Sequence, residues 1–238
     1  MIIWLILVLN NYPKIAPASD CTILVELGHK ISESTQKKIF TLITHLIRNP
    51  IHGVVNTHPG YSSILLTLDK MANIDDTIRV VENILDMVHN SEPPEGKLVE
   101  VPVLYGGNYG KDIQRVVQFS KLSEGEIIQR HQTRNYLVYF LGFSPGFPYL
   151  GGMDQDLTTP RIQTPRKRVP QGSVAIAGGQ TGIYPFSSPG GWNLIGRTPL
   201  KIFNISNPHN SLIQMGDKVQ FKSISKDEYE RLKESNGA

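Results

Sequence analysis

One cysteine, Cys21, stands in 238 residues, which excludes an internal disulfide framework and a cysteine-rich zinc site. That scarcity fits a reducing compartment, and the cytoplasm is the expected location. Charge of one sign is also lacking. Lysine and arginine number 24 against 21 acids, a net charge of +3, too small for a nucleic-acid footprint or a membrane-surface protein. No apolar run approaches the roughly 20 residues that cross a bilayer as a helix. The longest covers residues 1–9 and is broken by Asn10 and Asn11. It has no basic residue in front, as a signal peptide would, although Ala16-Pro17-Ala18-Ser19 loosely imitates a cleavage site. Residues 1–11 are therefore expected as an N-terminal extension, either an added strand or the product of an upstream start, ahead of a weak export signal.

Nucleotide motifs are missing too. GGQTG at Gly178–Gly182 has no Lys-Ser or Lys-Thr after it and is no P-loop, and no G-x-G-x-x-G links a strand to a helix. Ser144, Ser173, Ser187 and Ser188 lie in no G-x-S-x-G elbow. His29, His45, His52, His58 and His89 are scattered without the paired spacing of a metal site, so no metal is expected on this chain.

What is present begins with 39% hydrophobic residues, enough for the core of one large domain or two small ones. Over the first hundred residues the periodicity predicts strands at 22–27, 51–56, 63–68 and 98–104. Ser32 is placed to cap a first helix carrying Ile39, Leu42, Ile43, Leu46 and Ile47, which Asn49-Pro50 stops. His58-Pro59-Gly60 reads as the turn between the middle strands. Ile74, Ile78, Val81, Leu85 and Val88 mark a second helix. The order β-α-β-β-α-β predicts a split βαβ (ferredoxin-like) α+β domain over residues 12–105, with two helices covering one face of an antiparallel sheet.

Past residue 105 the composition changes. A short helix over 111–122 is followed by another with Ser123 and Glu126 in capping-box spacing, running into Arg130 and His131. Then come the β-rich stretches YLVYFLGF, GSVAIAG, NLIGRTP, LKIFNIS and DKVQFKSI, separated by glycine- and proline-rich turns. They predict a mainly-β barrel or sandwich over residues 106–225. A charged tail at 226–238 reads as a short surface helix.

Residues 141–199 carry the densest signal. Glycine and proline recur every few residues, with Phe143, Phe147, Tyr149, Tyr184, Phe186 and Trp192 between them. A linker would lack the aromatics and an ordinary strand would not tolerate the breakers, so tight turns on a β scaffold are implied. Single glycines there serve turn geometry, but GGQTGIYP and SPGGW together could expose a nest of N–H groups to an anion or a polarised carbonyl. Arg161, Arg166, Lys167 and Arg168 form a basic run without an intervening acid. Such a run suits a carboxylate or phosphate, and equally a solvated loop or an intersubunit contact. His131, at a helix end, either caps carbonyls or acts as an acid–base group. Gln180, Thr181 and Tyr184 are the polar groups best aimed at a small ligand.

FLGFSPGFPYLGG, TPR, VPQGSVAIAGGQTGIYP and SPGGWNLIGRTP closely resemble the family formed by the B subunit of the bacterial ATP-dependent 5-oxoprolinase. That family has also been called allophanate hydrolase subunit 1, and it includes the sporulation kinase inhibitor KipI. The resemblance runs from about residue 12 to 221 and implies an α/β N-terminal domain followed by a cyclophilin-like barrel. The implied activity is ATP-driven cleavage of 5-oxo-L-proline to L-glutamate, shared with two partners, a barrel-containing C subunit of the 5-oxoprolinase and a separate A subunit. ATP and magnesium are expected to belong to the complex, with none identifiable on this chain alone. The resemblance also admits a KipI-like inhibitor of a histidine kinase, or a carboxyltransferase-type module of a urea carboxylase. On this basis Gly178, Gly179, Gln180 and Thr181 are expected to line a pocket walled by Tyr184 and Trp192. Arg161 or Arg166 would balance negative charge, and His131 would be the titrating group.

Overall fold

The structure, a computed structural model, describes residues 12–235; the expected extension at 1–11 lies outside the described residues. The chain divides into two compact units, residues 1–94 and 95–238.

In the first unit Thr22 to Glu26 forms β2 after an additional strand β1 (Lys14–Ser19). Helix α1 (Glu33–Arg48), β3 (Val54–Pro59), β4 (Ser63–Leu68) and α2 (Ile74–Val88) follow. The sheet order is β1-β2-β4-β3, antiparallel throughout. Alternation buries Ile23 and Val25 of β2 and Ile64, Leu66 and Leu68 of β4, and both helices pack on the sheet. Their starts are set by side-chain caps: Ser32 Oγ accepts from the Thr35 amide at 3.1 Å, and Asn73 Oδ1 accepts from the Asp76 amide at 3.1 Å. Ile39, Leu42, Ile43 and Leu46 form the buried stripe of α1, as their spacing predicts, whereas Ile47, expected with them, is exposed.

Two expectations for this unit are corrected. The turn placed at His58-Pro59-Gly60 lies later: His58 and Pro59 remain in β3, and the Gly60 amide donates to Ser63 O at 2.8 Å. More consequentially, the fourth strand is β1 and not residues 98–104, so the split βαβ order is not the observed one. The Ala16-Pro17-Ala18-Ser19 stretch that imitates a cleavage site lies in β1, an edge strand, where a proline need not donate to a neighbour.

Residues 98–104 instead fall within β5 (Leu98–Tyr105), the first strand of the second unit. The remaining elements there are α3 (Ile113–Ser120), α4 (Glu124–Gln132), β6 (Asn135–Leu141), β7 (Pro148–Gly151), β8 (Arg166–Val169), β9 (Ser173–Ala177), β10 (Gln180–Ile183), β11 (Ser188–Gly190), β12 (Asn193–Arg197), β13 (Lys218–Ser223) and α5 (Lys226–Ser235). Seven strands close a barrel in the order β10-β7-β6-β13-β5-β12-β9, with β13–β5 the parallel pair. Val99, Val101, Val103, Val138, Leu150, Val174, Ile176, Ile183, Ile195, Val219 and Phe221 fill it, and Ile113 and Val116 of α3 and Ile127 of α4 join that core. The capping box of α4 forms as expected, the Ser123 amide donating to Glu126 Oε2 at 2.8 Å. LKIFNIS, expected as a strand, has no strand structure; Ile202 is buried there, while the Asn204 side chain accepts from the amides of Ser206 and Asn207. A separate ribbon, β8 with β11, completes the unit. Among the described residues no helix is long and apolar enough to cross a membrane.

Candidate functional site

Strand parity divides the expected site residues. On β10, Gln180 is opposite Ala177 and Thr181 is opposite Ile176. Successive side chains on a strand face opposite ways, so Thr181 joins Ile176 in the barrel interior and Gln180 joins Ala177 on the outer face.

The interior set centres on His131, which is 0% exposed. Its ring lies 4.4 Å from that of Phe221. Nδ1 is 2.7 Å from the Tyr105 hydroxyl and Nε2 is 2.9 Å from Thr181 Oγ1. Thr181 donates its own proton to Ala175 O at 3.1 Å, a carbonyl that can only accept. Nε2 must then donate to Thr181, and Nδ1 must accept from Tyr105. One neutral tautomer satisfies every group. Burial lowers the His131 pKa to about 3, and it raises that of Tyr105 well above its ordinary value. This corrects the expected titrating role: His131 is neutral throughout the physiological range and sealed from solvent, a group that holds α4 to β5 and β10. Its backbone carbonyl also accepts from the Tyr136 hydroxyl at 2.8 Å.

The outer face is built on small residues. Ala175, Ala177 and Gly182 floor it, and Phe147 lies across Gly182, where a Cβ would come within 2.8 Å of its ring. Phe147 meets Tyr184 and Trp192 edge-on at 5.2 and 5.3 Å between ring centroids, and Tyr149 lies 6.0 Å from Trp192. Tyr184 and Trp192, expected as walls, are almost fully buried and form the packed back of this surface. Burial raises the pKa values of Tyr184 and Tyr149, and the positive field of Arg161 partly offsets both shifts.

Polar groups converge at the edge of this cluster. Arg166 Nη2 donates to Asp112 Oδ1 at 2.6 Å, while Asp112 Oδ2 accepts from the Leu194 amide at 2.7 Å. The Asp112 amide returns a hydrogen bond to Leu194 O at 2.8 Å, tying the start of α3 to β12. Arg115 Nε donates to Asn193 Oδ1 at 3.0 Å, and Asn193 Nδ2 donates to Pro160 O and Ile176 O, each at 3.0 Å. Arg166 Nη1 is buried without a protein partner, although the side chain as a whole is 29% exposed. An arginine fixed on one side by a carboxylate and with an uncommitted donor, beside an aromatic surface, is equipped to bind a carboxylate, phosphate or amide oxygen.

Arg161, Arg166, Tyr184 and Trp192 are thus brought together, with Gln180 on the same barrel face. Gly178 and Gly179 form the exposed β9–β10 hairpin tip, where Gly178 takes a φ of 55°. The nest expected of them is partly spent, because the Gly178 amide donates to Thr159 O at 2.8 Å. Asp112, Arg115 and Asn193 were missed from sequence. Asp112 occupies the N-cap position of α3, where an aspartate needs no further explanation, yet its side chain makes no cap hydrogen bond.

Residues 13–213 match the family described as "Carboxyltransferase domain, subdomain C and D", so the barrel and its outer face are those of a carboxyltransferase-type domain protein. The chain is 35% identical to the B subunit of 5-oxoprolinase from Bacillus subtilis over 94% of its own length and 98% of that protein. It is 38% identical to the B subunit of 5-oxoprolinase from Escherichia coli, covering 85% of this chain and 92% of that protein. It belongs to the family of 5-oxoprolinase B subunits. In fold alone it matches the crystal structure of the Kluyveromyces lactis urea carboxylase with a TM-score of 0.76, at 20% identity, over 94% of this chain and 23% of that one.

Proposed function

We propose that this chain is the B subunit of an ATP-dependent 5-oxoprolinase that opens 5-oxo-L-proline to L-glutamate, working with C and A subunits of the same enzyme. The observation that carries this reading is 35–38% identity to three proteins named as the B subunit of 5-oxoprolinase, over 85–94% of the chain. The outer-face site supports it. An unstrained lactam resists water, and transfer of a phosphoryl group from ATP to its amide oxygen makes the carbonyl carbon electrophilic enough for ring opening. Arg166, positioned by Asp112, and Arg161 would meet the negative charge that this step concentrates on oxygen. Gln180 would orient the lactam, and Phe147, Tyr149, Tyr184 and Trp192 would keep bulk water from its apolar ring.

Among the described residues no group of three or more His, Cys, Asp or Glu side chains could hold a metal ion. In this reading magnesium accompanies the nucleotide at the level of the complex, and ATP occupies a site completed by the C subunit. Phe143 supports a covered surface: it is 66% exposed, holds a left-handed φ of 64°, and meets Phe147 edge-on at 5.7 Å.

The test is ATP-dependent glutamate release by the complex reconstituted from its purified components. The chain alone should release almost none. Arg166→Met and Gln180→Ala should each lower kcat of the complex by about tenfold or more. Full turnover by the isolated chain, or by both variants in the complex, would overturn this assignment. The family description and a Lachancea kluyveri urea amidolyase, 25% identical over 94% of this chain, favour a carboxyltransferase-type reaction as the second reading. Carboxyl transfer from carboxybiotin by the same complex, with no glutamate release, would select it.

A further inference from the structure

A cavity of about 240 Å³ opens in the second unit at the other end of β12 from the Asp112 network. Asn193 begins that strand and Arg197 ends it, so the two lie about 13 Å apart at the rise of an extended chain. The lining includes Tyr109, Arg197, Lys201, Tyr229 and Lys233. Tyr229 and Lys233 are four residues apart on α5 and so share one helix face. The Tyr109 and Tyr229 rings lie 4.9 Å apart. The Arg197 guanidinium lies 5.2 Å from the Tyr109 ring centroid and close enough to the Tyr229 hydroxyl to favour its ionised form.

Two of these cations, Arg197 and Lys233, are poorly matched by acids. Among the described residues no carboxylate lies within 4.0 Å of Arg197 or Lys233, and Arg197 Nε is buried with no hydrogen-bond partner. The acid beside the cavity, Glu230, is engaged by the Tyr109 hydroxyl at 3.0 Å. A buried donor on a charged group without a partner is costly, and three cations around one concavity repel each other. Both costs are relieved by an anion of more than one charge.

We propose that this cavity binds a phosphate-type oxyanion, either free phosphate or the phosphoryl group of a small monoester. The planar guanidinium, held in place by Tyr109 and Tyr229, presents a fixed fork, while Lys201 and Lys233 add mobile point charges at the rim. With Glu230 counted, these three cations leave a net charge of about +2, which a dianion matches and a single carboxylate only halves. The two tyrosine rings offer a surface on which the organic part of a monoester can rest. This assignment does not depend on the oxoprolinase reading, because it is tested by binding alone.

The experiment is calorimetric titration of the full chain with inorganic phosphate, with phenyl phosphate and with acetate, at matched ionic strength. Saturable one-to-one binding of phosphate or phenyl phosphate, with none of acetate, is expected. Tighter binding of phenyl phosphate identifies the esterified source, and equal affinity identifies the free ion. The double variant Lys201→Glu/Lys233→Glu changes two exposed side chains and should keep its far-UV spectrum while losing at least about tenfold in affinity. Arg197→Lys, which keeps the charge and removes the fork, should also weaken binding. Absence of saturable phosphate and phenyl phosphate binding, equal binding of acetate, or unchanged affinity in the double variant would each overturn the proposal.

Discussion

The neutral tautomer assigned to His131 makes a quantitative demand on stability. In the unfolded chain this imidazole titrates near the ordinary value of about 6.5. In the folded barrel, desolvation lowers its pKa to about 3. A depressed folded-state value means that the unfolded state takes up the proton first as pH falls. Stability is therefore full above pH 6.5 and declines below it, until the folded form also protonates near pH 3. Linkage between these two values gives a loss of about 2 kcal/mol from this residue between pH 7.5 and pH 5. The assay is urea unfolding at several pH values across that window, followed by the emission of Trp192, which is 5% exposed within the second unit. The comparison protein is His131→Gln, which can still accept from Tyr105 and donate to Thr181 but does not titrate. It should be less stable at pH 7.5 by about 2–3 kcal/mol, because the contact with Phe221 is lost and a void remains. Asp217, whose pKa is raised by burial, and the other histidines are common to both proteins. The difference between the two curves therefore isolates His131, and it should narrow by about 2 kcal/mol towards pH 5. Parallel curves would show that His131 titrates normally in the fold, and the sealed, neutral assignment would fail.

Two further outcomes follow from the outer face. Asp112→Ala should cost about 3 kcal/mol by denaturant unfolding, since it strands the Leu194 amide and the Arg166 charge; Asp112→Asn, which can still accept from Leu194, should cost about half as much. Adding Arg166→Met to Asp112→Ala should recover part of that loss, and strict additivity in this cycle would remove the ion pair from the account. Phe143→Gly should leave stability unchanged within about 1 kcal/mol, because relief of the left-handed backbone offsets the added chain freedom. The same change should weaken association with a partner protein by about tenfold if Phe143 is an interface anchor, measured by titration calorimetry, and unaltered affinity would exclude that role.

Local signals were legible wherever they were also sufficient. The stripe of α1, its Ser32 cap, the Ser123–Glu126 capping box and the strand character of residues 98–104 all follow from patterns within a few residues. The destination of that last strand did not. Val99, Val101 and Val103 alternate identically whether they close the first sheet or line the barrel, so period two identifies a strand without naming its neighbours. Likewise, GGQTG stood out as a motif, but Gln180 and Thr181 could not be sorted to opposite faces until the Ala177 and Ile176 pairings were known.

By itself, then, the sequence determined the helices and most strands, the breaker-rich block as the region of interest, and through its motifs the family. Only the tertiary structure decided that His131 is a sealed structural group and that Arg166 is held by Asp112, 54 residues away along the chain. It alone left Arg197 Nε buried with no hydrogen-bond partner. The reason is physical: caps, turns and periodicity are set by neighbours in sequence. Desolvation, ion pairing and the side of a barrel wall on which a residue falls are set by chain segments that meet only when the barrel closes.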